Sequence, residues 1–215
     1  MTMTSGAMGL TLRIHRFLPQ TEAEGPGVRA SLWVQGCQAH CSGCFNKDAQ
    51  YLGGGTIVSI GSLYERISSQ GGIEGVTFVG GEPFLQADSL AELGRLCQGI
   101  GLSVVTFTGL EYRYLLEQDR PDWARLLSVT DLLLAGPYVE SRQDFSRPWV
   151  GSANQSFVFL TDRYRHLRDS LFEIPNRLEI RLEASGRLGL NGMASQEEIA
   201  RLQEELETLG LRLRR

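Results

Sequence analysis

The chain has 215 residues, of which 42% are hydrophobic and 21% charged, a composition typical of one folded globular domain. Its net charge of -4 argues against a protein that depends on nucleic-acid phosphates for binding. No apolar run approaches the roughly 20 residues that cross a bilayer, and residues 1–10 lack the pattern of a secretion signal. We therefore expect a cytoplasmic protein without nucleic-acid or membrane partners.

Strand-like and helix-like segments alternate along most of the chain. Residues 28–34 alternate apolar and other side chains, as a strand does, and residues 87–97 carry Leu90, Leu93 and Cys97 at helical spacing. The patterns predict strands at 10–18, 28–34, 75–79, 102–107 and 129–134, and helices at 59–69, 87–97 and 111–117.

This alternation predicts an α/β fold with parallel strands, arranged as a partial or full (β/α) barrel. In such folds the loops at the carboxyl ends of the strands carry the functional site. Four segments occupy that position here: the loop after residue 34, residues 80–83, the turn at Thr108 and Gly109, and the loop after Leu134. We expect these four segments to meet at one edge of the sheet.

The C-terminal part has a different pattern. Residues 178–190 predict a β-hairpin with its turn near Ser185 and Gly186. Ser195 and Glu198 form the pattern of a helix N-terminal capping box, and Gly210 is a suitable helix stop. The chain is therefore predicted as a single domain, residues 1–215, with a core at about 10–155 and a C-terminal hairpin and helix extension at about 156–215.

Three of the four cysteines, Cys37, Cys41 and Cys44, fall within eight positions. A triplet this tight in a reducing compartment indicates metal ligation rather than a disulfide framework. Three thiolates can hold a [4Fe–4S] cluster and leave one iron without a protein ligand. That open position can accept a substrate or a cofactor.

A structural Cys3His zinc site is the alternative, with His40 or the distant His15 or His166 as fourth ligand. His40 lies between two of the cysteines, where it can hardly fold back to the same metal, so the spacing favours the cluster. The fourth cysteine, Cys97, lies on the apolar face of a predicted helix and is expected to be a core residue.

The cysteine triplet, followed by Gly-Gly-Glu-Pro at 80–83, resembles the radical S-adenosylmethionine (SAM) superfamily. The stretch EGPGVRASLWVQGCQAHCSGCFN at 24–46 and the string GSANQ at 151–155 are similar to its radical-activating branch, which activates glycyl radical enzymes. Within that branch the chain is most similar to the activators of anaerobic ribonucleotide reductase.

The resemblance implies a [4Fe–4S] cluster on Cys37, Cys41 and Cys44, with the amino and carboxylate groups of SAM on the open iron. Reductive cleavage of SAM would give methionine and a 5′-deoxyadenosyl radical. That radical would install a glycyl radical on a partner enzyme or another polypeptide. An external donor such as flavodoxin or ferredoxin would supply the electron. No catalytic residue is implied beyond the cluster ligands.

The resemblance also implies a SAM site. Gly80 and Gly81 would let the backbone approach the methionine part closely. Glu82 would fix the strand end or accept a hydrogen bond from the SAM ammonium, and Pro83 would fix the turn. The remaining residues implied at this site are Phe45, Asn46, Thr106, Thr108 and Asn154.

Structural roles are open for three of these residues. Thr106 can pack on its strand, Thr108 can cap its turn, and Asn154, like its neighbour Gln155, can bond loop backbone.

The chain departs from the superfamily at three positions. Gly43 stands where many members have an aromatic residue that contacts adenine. Ala135 and Val150 stand where the branch often has an acidic and a basic residue, and we expect both on the substrate side.

Three functions follow from these patterns. The first is an activase that acts on a glycine of a protein partner. The second is a radical SAM enzyme for a peptide or small molecule on the same scaffold. The third is a non-catalytic iron–sulfur or zinc module, against which the GGEP string argues.

Overall fold

The computed structural model describes residues 9–182 and 188–210. The strands are β1 (Thr11–Thr21), β2 (Arg29–Val34), β3 (Thr56–Ser59), β4 (Gly75–Gly80), β5 (Ser103–Thr108), β6 (Leu132–Ala135), β7 (Ser156–Phe159), β8 (Leu178–Leu182) and β9 (Leu188–Gly192). The helices are α1 (Ile60–Ser68), α2 (Ala87–Gln98), α3 (Tyr112–Glu117), α4 (Pro121–Ser128) and α5 (Gln196–Thr208). Within these described ranges, no helix is long and apolar enough to span a bilayer.

The central sheet has seven strands in the order β3-β1-β2-β4-β5-β6-β7. Strands β2, β4, β5 and β6 run parallel to one another. Strand β1 is antiparallel to both β2 and β3, and β7 is antiparallel to β6. The predicted α/β class with a mostly parallel sheet is therefore confirmed.

The parallel register brings the carboxyl ends of four strands together. Val34 pairs with Gly80, Phe78 with Thr106, and Thr108 with Ala135. We call the side of the sheet where β2, β4, β5 and β6 end the loop edge. The loops that follow these strands start from neighbouring positions on it.

One face of the sheet is covered by the first helices. Leu32, Phe78 and Leu133 point to this face and pack in one buried cluster with residues of α1, α2 and α4. Cys97 lies in this cluster with no exposed surface, which confirms its prediction as a core residue. Burial raises the pKa of its thiol to about 12, so it stays protonated at neutral pH.

The opposite face is covered by residues that follow β6. This second buried cluster joins the sheet residues Val105, Leu132 and Leu134 to Trp149, Val150, Tyr164 and Leu171.

The side chains of Ala135 and Val150, which were expected on the substrate side, are both buried. Their exposed fractions are 1% each, because Ala135 packs in the first cluster and Val150 in the second. A partner cannot contact either side chain at the surface.

A buried arginine anchors the segment that crosses this second face. Arg29, at the start of β2, donates hydrogen bonds to Thr77 Oγ1 at 2.8 Å, Ser103 Oγ at 3.0 Å and Tyr164 OH at 2.7 Å. The Tyr164 hydroxyl in turn donates to Glu74 Oε1 at 2.5 Å. Because a buried guanidinium is stable only when its donors are bonded, this network fixes Tyr164 against the sheet.

Strands β8 and β9 pair antiparallel and lie against the end of β1. Glu179 of β8 accepts hydrogen bonds from Thr21 Oγ1 at 2.8 Å and Glu22 N at 2.7 Å. The predicted turn near Ser185 and Gly186 lies outside the described residues. The capping box of Ser195 and Glu198 is confirmed at the start of α5.

Glu24 links the loop between β1 and β2 to β9. Its carboxyl group faces the backbone of Gly192 and the side chain of Asn191. Burial raises the pKa of Glu24 from 4.5 to about 8. The positive charge of Arg16 lowers this pKa and the negative charge of Glu179 raises it, both by less than burial does. The native protein therefore holds this proton to a higher pH than the unfolded chain does.

This raised pKa predicts a pH-dependent stability. The contribution of protonated Glu24 is fully present near pH 4.5 and is lost as the pH rises through about 8. We expect the Glu24→Gln variant to gain stability relative to the parent protein between pH 5.5 and 8.5, a range chosen around that pKa. Urea unfolding across this range measures the difference. The exposed Glu65→Gln variant is the control, and a difference for Glu24→Gln that is constant with pH contradicts the assignment.

Candidate active site

The loop that carries the cysteine triplet is closed at its base by backbone and side-chain bonds. Gly36 N donates to Ala49 O at 2.7 Å, and Cys37 N donates to Gln50 O at 3.0 Å. The buried Gln35 side chain adds bonds to the carbonyls of Asp48 and Tyr51. We call residues 36–51 the cysteine loop. Sequence reasoning missed Gln35, since a single amide at a strand end belongs to no periodic pattern.

The cysteine loop carries the three thiols of the triplet. Cys37, Cys41 and Cys44 are free and partly exposed, and Ala39 N donates to Cys37 Sγ at 3.4 Å. Burial raises the pKa of Cys37, and the negative charges of Glu82, Cys41 and Cys44 raise it further. The cysteine loop therefore places the thiol ligands near the carboxylate of Glu82.

The side chains in the described ranges do not form a site for a single metal ion. No group of three or more His, Cys, Asp or Glu side chains there could hold one ion. His40, the fourth ligand of the zinc alternative, is exposed and has a φ of 45°. The ligands of a cubane bind different iron atoms, so its three cysteines need not converge on one point.

The GGEP segment continues the pairing of β4 with β2 beyond the strand ends. Gly81 N donates to Val34 O at 2.8 Å, and Glu82 N donates to Gly36 O at 2.7 Å. A Cβ atom at Gly80 would lie 2.7 Å from Trp33 Cα, and one at Gly81 would lie 2.2 Å from Gly36 O. Close backbone packing against β2 and the cysteine loop therefore requires both glycines.

The carboxylate of Glu82 joins the ends of β4 and β5. It accepts hydrogen bonds from Thr108 Oγ1 at 2.9 Å, Gly109 N at 2.9 Å and Phe84 N at 3.0 Å. Burial raises the pKa of Glu82, and these three hydrogen bonds act against that rise. Of its two predicted roles, these bonds are those expected of a residue that fixes the strand end.

The two threonines at the end of β5 have different surroundings. Thr108 caps its turn, because its hydroxyl also accepts from Leu110 N at 3.0 Å. Thr106 is completely buried, and its hydroxyl lies 2.9 Å from Thr130 Oγ1, which donates to Leu126 O in α4. Thr106 thus faces the helix layer and is not brought to the loop edge. Pro83 begins a buried 3-10 turn at Pro83–Gln86.

The loop after β6 packs on the cysteine loop. Ser42 Oγ donates to Glu140 Oε2 at 2.7 Å, and a Cβ atom at Gly43 would lie 3.1 Å from Tyr138 Cε1. The Phe45 ring, half exposed, contacts the Tyr138 ring with centroids 6.2 Å apart. Asn46 begins the short turn Lys47–Ala49.

The turn after β5 also reaches the cysteine loop. A Cβ atom at Gly109 would lie 3.7 Å from Ala39 Cβ. The cysteine loop thus contacts all three other segments that were predicted at this edge, and that prediction is confirmed.

The GSANQ string bonds the loop after β6. Asn154 Nδ2 donates to Pro137 O at 2.8 Å, and Gln155 Nε2 donates to Gly136 O at 3.3 Å. Both side chains therefore bond loop backbone. Asn154 Oδ1 is buried and has no hydrogen-bond partner among the described residues, so an acceptor remains available there.

A model of the 4Fe–4S single cluster domain family matches residues 23–158. The chain belongs to this family. The predicted [4Fe–4S] cluster is thereby confirmed at the level of the family.

Two of the curated relatives that the chain matches are activating proteins. The pyruvate formate-lyase-activating enzyme of Listeria monocytogenes is 34% identical over 131 residues, 57% of this chain and 51% of that protein. The anaerobic ribonucleoside-triphosphate reductase-activating protein of Salmonella typhi is 29% identical over 157 residues, 67% of this chain and 96% of that protein. These names confirm the predicted resemblance to the radical-activating branch.

The chain spans about half the length of the first of these relatives. Among solved structures, the crystal structure of QueE from Escherichia coli matches with 22% identity and a TM-score of 0.41, over 48% of this chain and 56% of that chain.

The residues of the site fit the groups that the family implies. Three free thiols on one loop are the donor set of a [4Fe–4S] cluster with one open iron. The unpartnered Asn154 Oδ1 is a buried acceptor that a ligand with an amino group would satisfy.

The Glu82 bonds generate a prediction. A Gln side chain at residue 82 turns its amino group toward a backbone donor, either Phe84 N or Gly109 N, so at least one bond is lost and a repulsive contact replaces it. We expect the Glu82→Gln variant to be less stable by about 1–3 kcal/mol. Urea unfolding of the cluster-free protein measures this.

Glu111→Gln, the same substitution at an exposed carboxylate, is the matched control and should leave the stability unchanged. If Glu82→Gln is instead more stable than the parent protein, the carboxylate is a desolvated charge kept for a ligand and not a structural link.

Proposed function

We propose that the protein is a radical SAM enzyme that holds its cluster on Cys37, Cys41 and Cys44 and cleaves SAM reductively. The observation that supports this most directly is the contact of the cysteine loop with the GGEP segment, the Thr108–Gly109 turn and the loop after β6. When bound, the reduced cluster supplies the electron that converts SAM to methionine and a 5′-deoxyadenosyl radical.

The protein's own residues hold and orient these groups. We propose that Glu82 and Thr108 keep the ends of β4 and β5 in place, while Gly80, Gly81 and Pro83 shape the turn beside the cysteine loop. Thr106 bonds Thr130 on the helix side of the sheet and supports β5 from that face. The residues that would contact SAM from the loop edge are Phe45, Asn46 and Asn154.

The sheet would serve as a partial (β/α) barrel of the radical SAM type, with the C-terminal hairpin and helix as its extension. The second buried cluster and the Arg29–Tyr164 bond support this, since residues that follow β6 fill the face opposite the helices. The cytoplasm is the proposed compartment, because three free thiols must stay reduced to bind iron.

The proposed target is a glycine in a polypeptide partner, namely a glycyl radical enzyme, with flavodoxin or ferredoxin as electron donor. The names of both relatives support this, since each is named as the activator of another enzyme. A second candidate is a peptide or small molecule. The residues after β6 that cover the second sheet face favour this candidate, because Tyr164 and Leu171 occupy space beside β5 and β6.

The cluster assignment predicts the behaviour of cysteine variants. Replacement of Cys37, Cys41 or Cys44 by Ala should abolish most of the iron and sulfide bound after anaerobic reconstitution, and with it the formation of 5′-deoxyadenosine from SAM. Iron and sulfide analysis and chromatography measure the two effects.

The Cys97→Ala variant, altered in the core, is the control and should keep its cluster. Full cluster content in the Cys41→Ala variant would show that the ligand set is wrong.

The partner assignment predicts a protein radical. An anaerobic mixture of the reconstituted protein, SAM, a reductant and a glycyl radical enzyme should give the glycyl doublet in electron paramagnetic resonance. Exposure to oxygen should then cleave the partner at its radical glycine. The second candidate function replaces the first if a small molecule is turned over to saturation while no candidate protein acquires the radical.

A further inference from the structure

We propose that Tyr138 forms the aromatic surface on which the adenine base of SAM stacks, in the space beside the third cysteine that Gly43 leaves free. This inference rests on the proposed function and assigns a binding role to a residue on a different loop from the cysteines.

The first step is the close fit of Tyr138 and Gly43. A Cβ atom at residue 43 would lie 3.1 Å from Tyr138 Cε1, and the φ of Gly43 is +72°. A side chain at residue 43 would therefore force the Tyr138 ring to move by a few tenths of an ångström and would also strain the backbone. With glycine at residue 43, the ring that lies closest to this position is that of Tyr138.

The second step is the fixed position of the Tyr138 ring. On the ring edge opposite Gly43, a Cβ atom at Gly151 would lie 3.1 Å from Tyr138 Cε2. Two glycines thus contact the two edges of the ring. Phe45 meets it with an interplanar angle of 75°, and Gln143 Nε2 donates to its hydroxyl at 3.2 Å. Contacts on several sides hold the ring plane in one orientation, as a stacking surface requires.

The third step is the distance that SAM itself imposes. Its methionine part would bind the open iron, and only a ribose separates the sulfonium from the base. The base must therefore lie within one nucleoside length of the cysteine loop. Tyr138 contacts that loop at Gly43 and Phe45, and a half-buried aromatic ring is the side chain on which a purine stacks most favourably.

A buried acceptor belongs to a residue bonded to the same loop. Asn154 Nδ2 donates to Pro137 O, the residue before Tyr138, which orients the amide and leaves Oδ1 unpartnered and buried. An acceptor at this point suits the 6-amino group of adenine and does not suit the 6-keto group of hypoxanthine.

The test measures binding without the open iron. The probe is 5′-deoxyadenosine, which lacks the methionine part, in equilibrium dialysis against the reconstituted protein. We expect Tyr138→Leu to weaken its binding about tenfold, while Tyr138→Phe stays within about twofold of the parent protein. The exposed Tyr114→Leu variant on α3 should bind as the parent does. Iron and sulfide content and circular dichroism show that each variant is folded and holds its cluster.

The outcomes separate this inference from the proposed function. Equal binding by Tyr138→Leu and the parent protein overturns the role of Tyr138 and leaves SAM cleavage untouched. A parent protein that binds neither SAM nor 5′-deoxyadenosine overturns the proposed function and this inference together. Equal binding of 5′-deoxyinosine and 5′-deoxyadenosine by the parent protein overturns the role of Asn154 as the acceptor for the 6-amino group of adenine.

Discussion

The site depends on one buried carboxylate, that of Glu82, which holds the ends of two parallel strands together. Parallel strands have no turn to join their carboxyl ends, so those ends are fixed only by what bonds across them. Glu82 bonds Thr108 and Gly109 with its side chain, and Gly36 of the cysteine loop with its backbone N–H. Hydrogen bonds to a charged group are roughly twice as strong as neutral ones. This link therefore sets the positions of the cysteine loop and of the Thr108–Gly109 turn.

Glycines make the second contribution to this arrangement. Gly81 packs against Gly36 O and Gly80 against Trp33, so the GGEP segment and the cysteine loop approach at backbone contact. Gly43 likewise lets the backbone of the cysteine loop approach the Tyr138 ring closely. Since interiors tolerate few voids, each small residue here is matched by a larger neighbour that fills the space. The departure of residue 43 from an aromatic side chain is thus explained by the packing of the loop after β6.

Much of this fold was predictable from local patterns. Buried strands such as 75–79 and 102–107 are short apolar runs, and the cap at Ser195 is a fixed spacing, so both are visible in the sequence. Strands β3 and β7 were missed, because both lie at the edges of the sheet and lack the continuous buried run of β6, a strand of the same length. Helix α4 was also missed, although Pro121 at its first position is a typical start.

The residues of the site could be predicted from the sequence, but the contacts between those residues were less predictable. The triplet and the GGEP string identified the loops, but Glu82 bonds residues 26 and 27 positions away, and Tyr138 meets a loop far earlier in the chain. No local pattern encodes such a pairing. The same limit applies to Ala135 and Val150, whose burial depends on segments that pack over them from elsewhere in the chain.

The cover of the second sheet face bears on how a target would reach the site. Tyr164 is held by a fully buried arginine, and removal of a partner from a buried charge is strongly unfavourable. The base of this cover, around Arg29, would therefore stay in place during turnover. At the other end of the same strands, Phe45 is half exposed and the three thiols are partly exposed. A target that needs its reacting hydrogen within about 3–3.5 Å of the radical would thus approach from the loop edge and not across the sheet face. A glycine at the tip of a partner's loop can meet this requirement, because only a narrow segment has to enter.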